Sequence, residues 1–363
     1  MNHRQRVHLA IQHKEADRVP TGEWIIDRNL MARILKKNIK ELDSFGDVVR
    51  VYEFLDIDLK GVDSTFEASP HKELLGKSKS GRPIIKDGWG AVYEDSEFGS
   101  LTSSLLEFPI KRPEDVYEYK FPPIGYYERN AREVEKWVKE TDFCIGADVW
   151  GGRGMITPLM GYENYMTWSL THPEELGYII REFTKYNAEI AKMYIDAGAQ
   201  VIVVDDDLAG NMGPFLSPDF YGEILLPAVR EEVGIIKEHA KENNKDSVVF
   251  FHSDGDINWI IQDLVEIGID GLHPLEPAAG MDIGLVKEKY GDKLCLMGNI
   301  DTRYVLPRGT PKDVEKEVKR IIKAAASGGG LIISSANMYT ADIPVENVSA
   351  VYRTVKKYGV FSP

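Results

Sequence analysis

Cysteine is scarce in this chain. Its 363 residues include only Cys144 and Cys295, far apart and each inside an apolar run. Two such residues make neither a disulfide framework nor a cysteine metal cluster, and they read as small buried side chains. Long apolar runs are missing too. No stretch of about 18 apolar residues exists to span a bilayer. The opening MNHRQRVHLAIQHKEADRVP has no apolar signal core, so a cytoplasmic protein is expected. Positive charge is in deficit: Lys and Arg total 44 against 58 Asp and Glu, a formal net charge of -14. Nucleic acid and anionic membranes both demand a basic surface, which excludes them as partners. There is no low-complexity tract and no Pro/Gly/Ser linker, so residues 1–363 are expected to form one domain.

What is present is strand–helix alternation in a composition ordinary for a soluble protein, 43% hydrophobic and 28% charged. Residues 2–13 read as a short amphipathic helix. VPTGEW (19–24) reads as a strand, residues 46–56 as a helix, and Leu59–Asp63 as a second strand. From about 67 to 122 the Gly-punctuated alternation of GRPIIKDGWGAVYEDSEFGSLTSSL predicts a β-hairpin excursion. Residues 127–140 read as helical. Further strands follow at 143–148, 200–205, 248–252, 268–272, 293–297 and 331–335. Helices separate them at 174–197, 219–243, 257–267, 282–290 and 311–326. Right-handed crossovers put each helix back on a parallel sheet. Eight such units predict an α/β fold, a (β/α)8 TIM barrel with N-terminal helices and the excursion after its second strand. An open doubly wound sheet fits less well, because no Gly-rich phosphate turn follows the first strand.

Active sites of such barrels form just past the strand ends, and here those positions are polar. Glu23 and Trp24 end the first strand. Asp148, Trp150 and Arg153 follow the third, and Asp205, Asp206 and Asp207 the fourth. VVFFHSDGD brings His252 and Asp254 to the end of the fifth. HPLEP supplies His273 and Glu276, GNID supplies Asn299 and Asp301, and SSANMY supplies Asn337. Residues i and i+2 of an extended chain share a face, so His252 and Asp254 reach one centre. A His nitrogen with carboxylates suits a divalent ion such as Zn, Fe, Mn or Mg. The same groups without metal make an acid/base array, since crowded carboxylates raise one another's pKa. Each residue also has a structural reading. Asp206, Asp207 and Asp254 suit helix caps, and His273, Asn299 and Asn337 suit turns. On this reading Asp205, Asp206, Asp207, His252 and Asp254 are the catalytic candidates. Trp24, Arg28, Trp150, Arg153, His273, Asn299 and Asn337 are candidates for holding a small-molecule substrate.

The segments GMITPLMGYENYMTWSLTHPEEL, VVDDD, FFHSDGDI, IGIDGLHPLEP, LCLMGNID, GTPKDVEKEVKR and GGGLIISSAN…DIPVENVSAVY together resemble the uroporphyrinogen decarboxylase superfamily. The resemblance is strongest from Gly151 to Tyr358 and implies a (β/α)8 barrel. It implies one of two chemistries: cofactor-free decarboxylation of uroporphyrinogen III, or zinc-dependent methyl transfer between a corrinoid protein and a thiol or similar acceptor. Dimers occur in some branches. The decarboxylases carry two arginines around Gln-Ala-Gly near the N-terminus. The matching TGEWIIDRNL offers Arg28 alone and adds Glu23 and Asp27, an electrostatic mismatch for an octa-anionic substrate. The methyltransferases carry His-x-Cys after strand five and Cys after strand eight, where this chain has His252, Asp254 and Asn337. Loss of both thiolates hardens the site. The metal set expected from this comparison is His252, Asp254 and Glu276. The leading expectation is a methyltransferase with zinc and with a cobalamin presented by a partner protein. The alternatives are a tetrapyrrole decarboxylase, which needs neither, and a non-catalytic binding protein for a small molecule or tetrapyrrole.

Overall fold

The computed structural model describes residues 1–43, 45–62, 72–95 and 104–361. Its centre is a sheet of eight parallel strands: β1 (Gly22–Glu23), β2 (Leu59–Val62), β7 (Cys144–Trp150), β8 (Val201–Asp205), β11 (Val248–His252), β12 (Gly271–His273), β13 (Cys295–Ile300) and β14 (Leu331–Ser335). The order follows the chain. A parallel bridge between Thr21 and Ile333 joins the last strand to the first and closes the barrel. The strands form because β-branched and aromatic residues dominate runs such as VIVV and VVFF, and both faces of these runs are buried.

Strict alternation sorts their side chains. Leu59, Cys144, Val201, Val203, Phe250, Cys295, Met297 and Ile332 pack together inside the barrel. Ile202, Val204, Val249 and Phe251 belong instead to the cluster shared with the surrounding helices. The interior is stoppered at its base by the His3–Ile11 helix, whose Val7 and Ala10 join the inner cluster. That helix starts from a capping box of Asn2 and Gln5.

The excursion is richer than the expected hairpin. Strands β3 (Glu73–Lys77), β4 (Pro83–Lys86), β5 (Val92–Glu94) and β6 (Ser104–Glu107) form a four-stranded antiparallel sheet in chain order. Residue 63 of the expected second strand, and residues 67–71 and 96–103 of the excursion, lie outside the described residues. The expected helices are found with ends shifted by a few residues. Two helices were not anticipated between β7 and the long Pro173–Asp196 helix: Gly152–Met160 and Tyr162–Thr171. A short hairpin, β9 (Ala209–Gly210) with β10 (Gly213–Pro214), follows β8. No helix of the described residues is long and apolar enough to cross a membrane.

Candidate active site

Strand register builds the site. His252 pairs with Asp205 on one side and with His273 on the other, and Asp205 pairs with Trp150. Four strand ends therefore stand level. Inward alternation aims Asp205 and His252 at the barrel mouth, and Asp207 and Asp254, two residues on, follow them. The result is a cavity of about 230 Å³ lined by Trp24, Ile25, Trp150, Val203, Asp205, Asp207, His252, Asp254, His273, Asn337 and Met338. No lysine or arginine is among these lining residues.

His252 is the hub. Its Nε2 lies 3.7 Å from Asp205 Oδ1, 3.8 Å from Asp207 Oδ1 and 3.7 Å from Asp254 Oδ1. Asp205, Asp207 and His252 offer ligand atoms that all lie within 4.8 Å of one another. Asp207 Oδ1 also accepts the Asp254 N–H at 2.8 Å, and the Asn337 side-chain amide donates to Asp254 Oδ2 at 2.6 Å. Asp254 Oδ1 is buried without a hydrogen-bond partner among the described residues. Burial disfavours charge on His252, but the carboxylates of Asp205, Asp254 and Asp207 outweigh it and raise the imidazole pKa. Burial pushes Asp254 up to about 7, against the pull of His252.

Several expected residues stand elsewhere. Asp206 faces away from the cavity, as its odd position in the alternation requires. Its carboxylate accepts the N–H groups of Arg153 and Gly154 at 3.0 Å and caps the Gly152–Met160 helix. Burial lifts its pKa to about 7. Gly151 is required there, because a Cβ on it would lie 2.0 Å from the Asp206 Cβ. Asp206, expected among the catalytic candidates, thus stands as a buried helix cap and is not among the cavity's lining residues. Glu276 does not join the metal-ligand group. Its Oε2 accepts the Gly255 N–H at 3.0 Å and fastens the turn after Asp254. The metal-capable set is Asp205, Asp207 and His252, with Asp254 beside it, rather than His252, Asp254 and Glu276.

Of the expected substrate-holding residues, Trp24, Trp150, His273 and Asn337 line the cavity. Arg28 lies outside it and donates to the Leu42 carbonyl at 3.2 Å. Asn299 is fully buried, its amide spent on the Leu275 carbonyl at 2.9 Å. Arg153 is buried beside the Phe215 ring, 4.3 Å from its centroid, and donates to the Tyr162 hydroxyl. Asp301 caps the turn at Arg303 and Tyr304. Glu23 is fully buried below the cavity and bonded to Ser335; burial pushes it up to about 8. Ile25 and Met338 are cavity walls that sequence reasoning missed, though each follows a flagged residue, Trp24 and Asn337.

Relatives share this frame. A uroporphyrinogen decarboxylase of Pseudomonas entomophila (strain L48) is 28% identical over 294 residues, 75% of each chain. The methylcobamide:CoM methyltransferase MtaA of Methanosarcina barkeri is 26% identical over 246 residues, 65% of this chain and 67% of that one. A solved methyltransferase from Methanosarcina mazei superposes over 99% of both chains with a TM-score of 0.76 at 17% identity, a likeness of fold. The family model described as uroporphyrinogen decarboxylase (URO-D) matches residues 144–358, which carry six of the eight barrel strands, all but β1 and β2. On that match, the chain belongs to the uroporphyrinogen decarboxylase family.

Proposed function

We propose that this chain is a barrel enzyme that moves a methyl group between a corrinoid carried by a partner protein and a small substrate. The observation that carries the reading is the charge of the cavity. Asp205, Asp207, Asp254 and His252 meet in about 230 Å³ with no lining lysine or arginine. An octa-anionic porphyrinogen would meet a cluster of three carboxylates there with no fixed positive charge to receive it, an electrostatic mismatch.

The residues fit a divalent ion. Metal–ligand bonds of about 2.0–2.2 Å place tetrahedral ligands roughly 3.3 Å from one another, and His252 Nε2 stands only slightly farther than that from three carboxylate oxygens. Asp254 Oδ1, buried and unpartnered, is a further free acceptor at the same point. His252, Asp205 and Asp207 would hold the ion. Bound there, it would act as a Lewis acid, and its all-nitrogen-and-oxygen donor set favours a substrate oxygen or nitrogen over a thiolate. The remaining side chains position. Trp24, Trp150, Ile25 and Met338 wall the apolar body of the substrate. Asn337 holds the Asp254 carboxylate in place.

The test is metal analysis of wild type beside His252→Ala and Asp207→Ala, paired with transfer assays using methylcobalamin. Near-stoichiometric divalent metal in wild type, lost in both variants, with turnover of methylcobalamin that falls at least ~100-fold in both, is expected. A second reading, uroporphyrinogen decarboxylation, has the Pseudomonas relative on its side. Conversion of uroporphyrinogen to coproporphyrinogen by metal-stripped protein would overturn the methyl-transfer reading in its favour.

A further inference from the structure

His252 has two ring nitrogens, and only Nε2 faces the carboxylates. The other faces a second imidazole. His273 stands level with His252 on the neighbouring strand β12. The two Nδ1 atoms are 2.6 Å apart, and the rings lie 4.8 Å between centroids with 35° between their planes. His273 is 4% exposed, and its own Nε2 has no hydrogen-bond partner among the described residues. Two nitrogens this close share one proton: one ring donates and the other accepts.

We infer that His273 is the positioning residue for the metal-holding face of His252, accepting the His252 Nδ1–H and so leaving the His252 Nε2 lone pair directed at Asp205, Asp207 and Asp254. The inference rests on the reading of His252 as a metal-holding residue and names what orients it. An imidazole nitrogen binds a cation only through a lone pair. If His273 donated instead, the single proton of neutral His252 would sit on Nε2, pointing into the carboxylates, and the ring would be a donor rather than a ligand. A ring that holds a metal normally gives its other N–H to an oxygen acceptor. No carboxylate or carbonyl is bonded to His252 Nδ1 here; the partner is the buried imidazole.

The proton count follows. With His273 accepting at Nδ1, its own proton resides on Nε2, the buried nitrogen that lacks a partner. A buried N–H without an acceptor costs stability. The arrangement leaves a spectroscopic mark on both rings.

The experiment uses the full chain labelled with ¹⁵N-histidine and loaded with zinc alone. Long-range ¹H–¹⁵N correlation spectra should show His252 protonated at Nδ1 with Nε2 shifted by the metal, and His273 protonated at Nε2. Zinc affinity, measured by competition with a chelating dye, should fall about 10–100-fold in His273→Leu. It should recover in large part in His273→Asn, whose Oδ1 takes the place of the accepting nitrogen. Zinc bound with the shared proton on His273 Nδ1, or an Asn variant as weak as the Leu variant, overturns the inference while leaving His252 a ligand. A wild type that takes up no zinc overturns the metal reading itself, and the inference with it.

Discussion

Glu232 lies fully buried on the Leu226–Glu242 helix, and neither carboxylate oxygen has a hydrogen-bond partner among the described residues. Burial, with Asp206 adding repulsion, raises its pKa well above the ordinary carboxylate value. A carboxyl raised in this way gives a stability that is full below its unfolded pKa and is lost as pH climbs toward the folded value. Glu232→Met removes the unpaired oxygens at similar volume. Urea titrations should show the variant more stable at pH 8 by about 1–3 kcal/mol, with a flatter dependence between pH 5 and pH 8. Equal midpoints and equal slopes would contradict this account. Parity explains what could be read about individual residues from sequence. His252 and Asp254 were legible as a pair because i and i+2 share a face. The same rule separates Asp206 from Asp205 and Asp207, and it was there to be applied. The rule does not reach Glu276, because β12 ends at His273 and Leu275 has a φ of 58°, so the chain there is no longer extended. A capping role for Asp206 was legible, but not which helix it caps, since the Gly152–Met160 helix contains Pro158 and follows directly on a strand.

Among the elements, the strands were legible and their inner packing was not. Apolar β-branched runs bounded by turn residues announced all eight barrel strands, whereas nothing in the alternation said which side chain would fill the mouth of the barrel. Trp24 does so. A Cβ added to Gly61 or to Gly146 would lie 2.4 Å from its indole. These glycines occupy inward positions on β2 and β7, and the absence of their side chains makes room for the ring that forms a wall of the cavity. Glycine weakens a strand interior, and a close approach of this kind is what such a position signals. Gly61→Ala or Gly146→Ala should therefore displace Trp24 and destabilise the protein by about 1–3 kcal/mol. A shift in tryptophan fluorescence should report the displacement, and on the proposed metal reading a loss of zinc affinity should accompany it, because Trp24 also stands 6.3 Å from the His273 ring, centroid to centroid. Unchanged fluorescence and stability in both variants would show that the ring does not depend on this space.

The whole molecule separates its chemistry from its closure. The cavity occupies the carboxyl ends of the strands, and the opposite end is tied by one carboxylate. Asp58, fully buried just before β2, accepts from Arg6 at 2.5 Å, Arg18 at 2.7 Å and the Thr21 N–H at 2.8 Å, and meets His3 Nδ1 at 2.8 Å. It thereby joins the N-terminal helix, the segment leading into β1, and β2. Burial alone would raise its pKa, but the His3 hydrogen bond and the charges of Arg18 and Arg6 outweigh burial and lower it. A lowered carboxyl contributes stability that is present above its unfolded pKa and is lost as pH falls through the folded value. Asp58→Asn removes the carboxylate shared by two buried guanidinium groups, leaving Arg6 with Asp17 and Arg18 with Asp56, a change that costs up to about 3–5 kcal/mol. The variant should unfold at markedly lower denaturant at pH 7, and the gap to wild type should narrow in acid. On the proposed metal reading, zinc affinity in the fraction that remains folded should match wild type within about 2-fold, since none of the residues lining the cavity is among those bonded to Asp58 and sites that share no partners act nearly additively. A folded Asp58→Asn protein with weakened zinc binding would mean that the base of the barrel and its mouth are coupled.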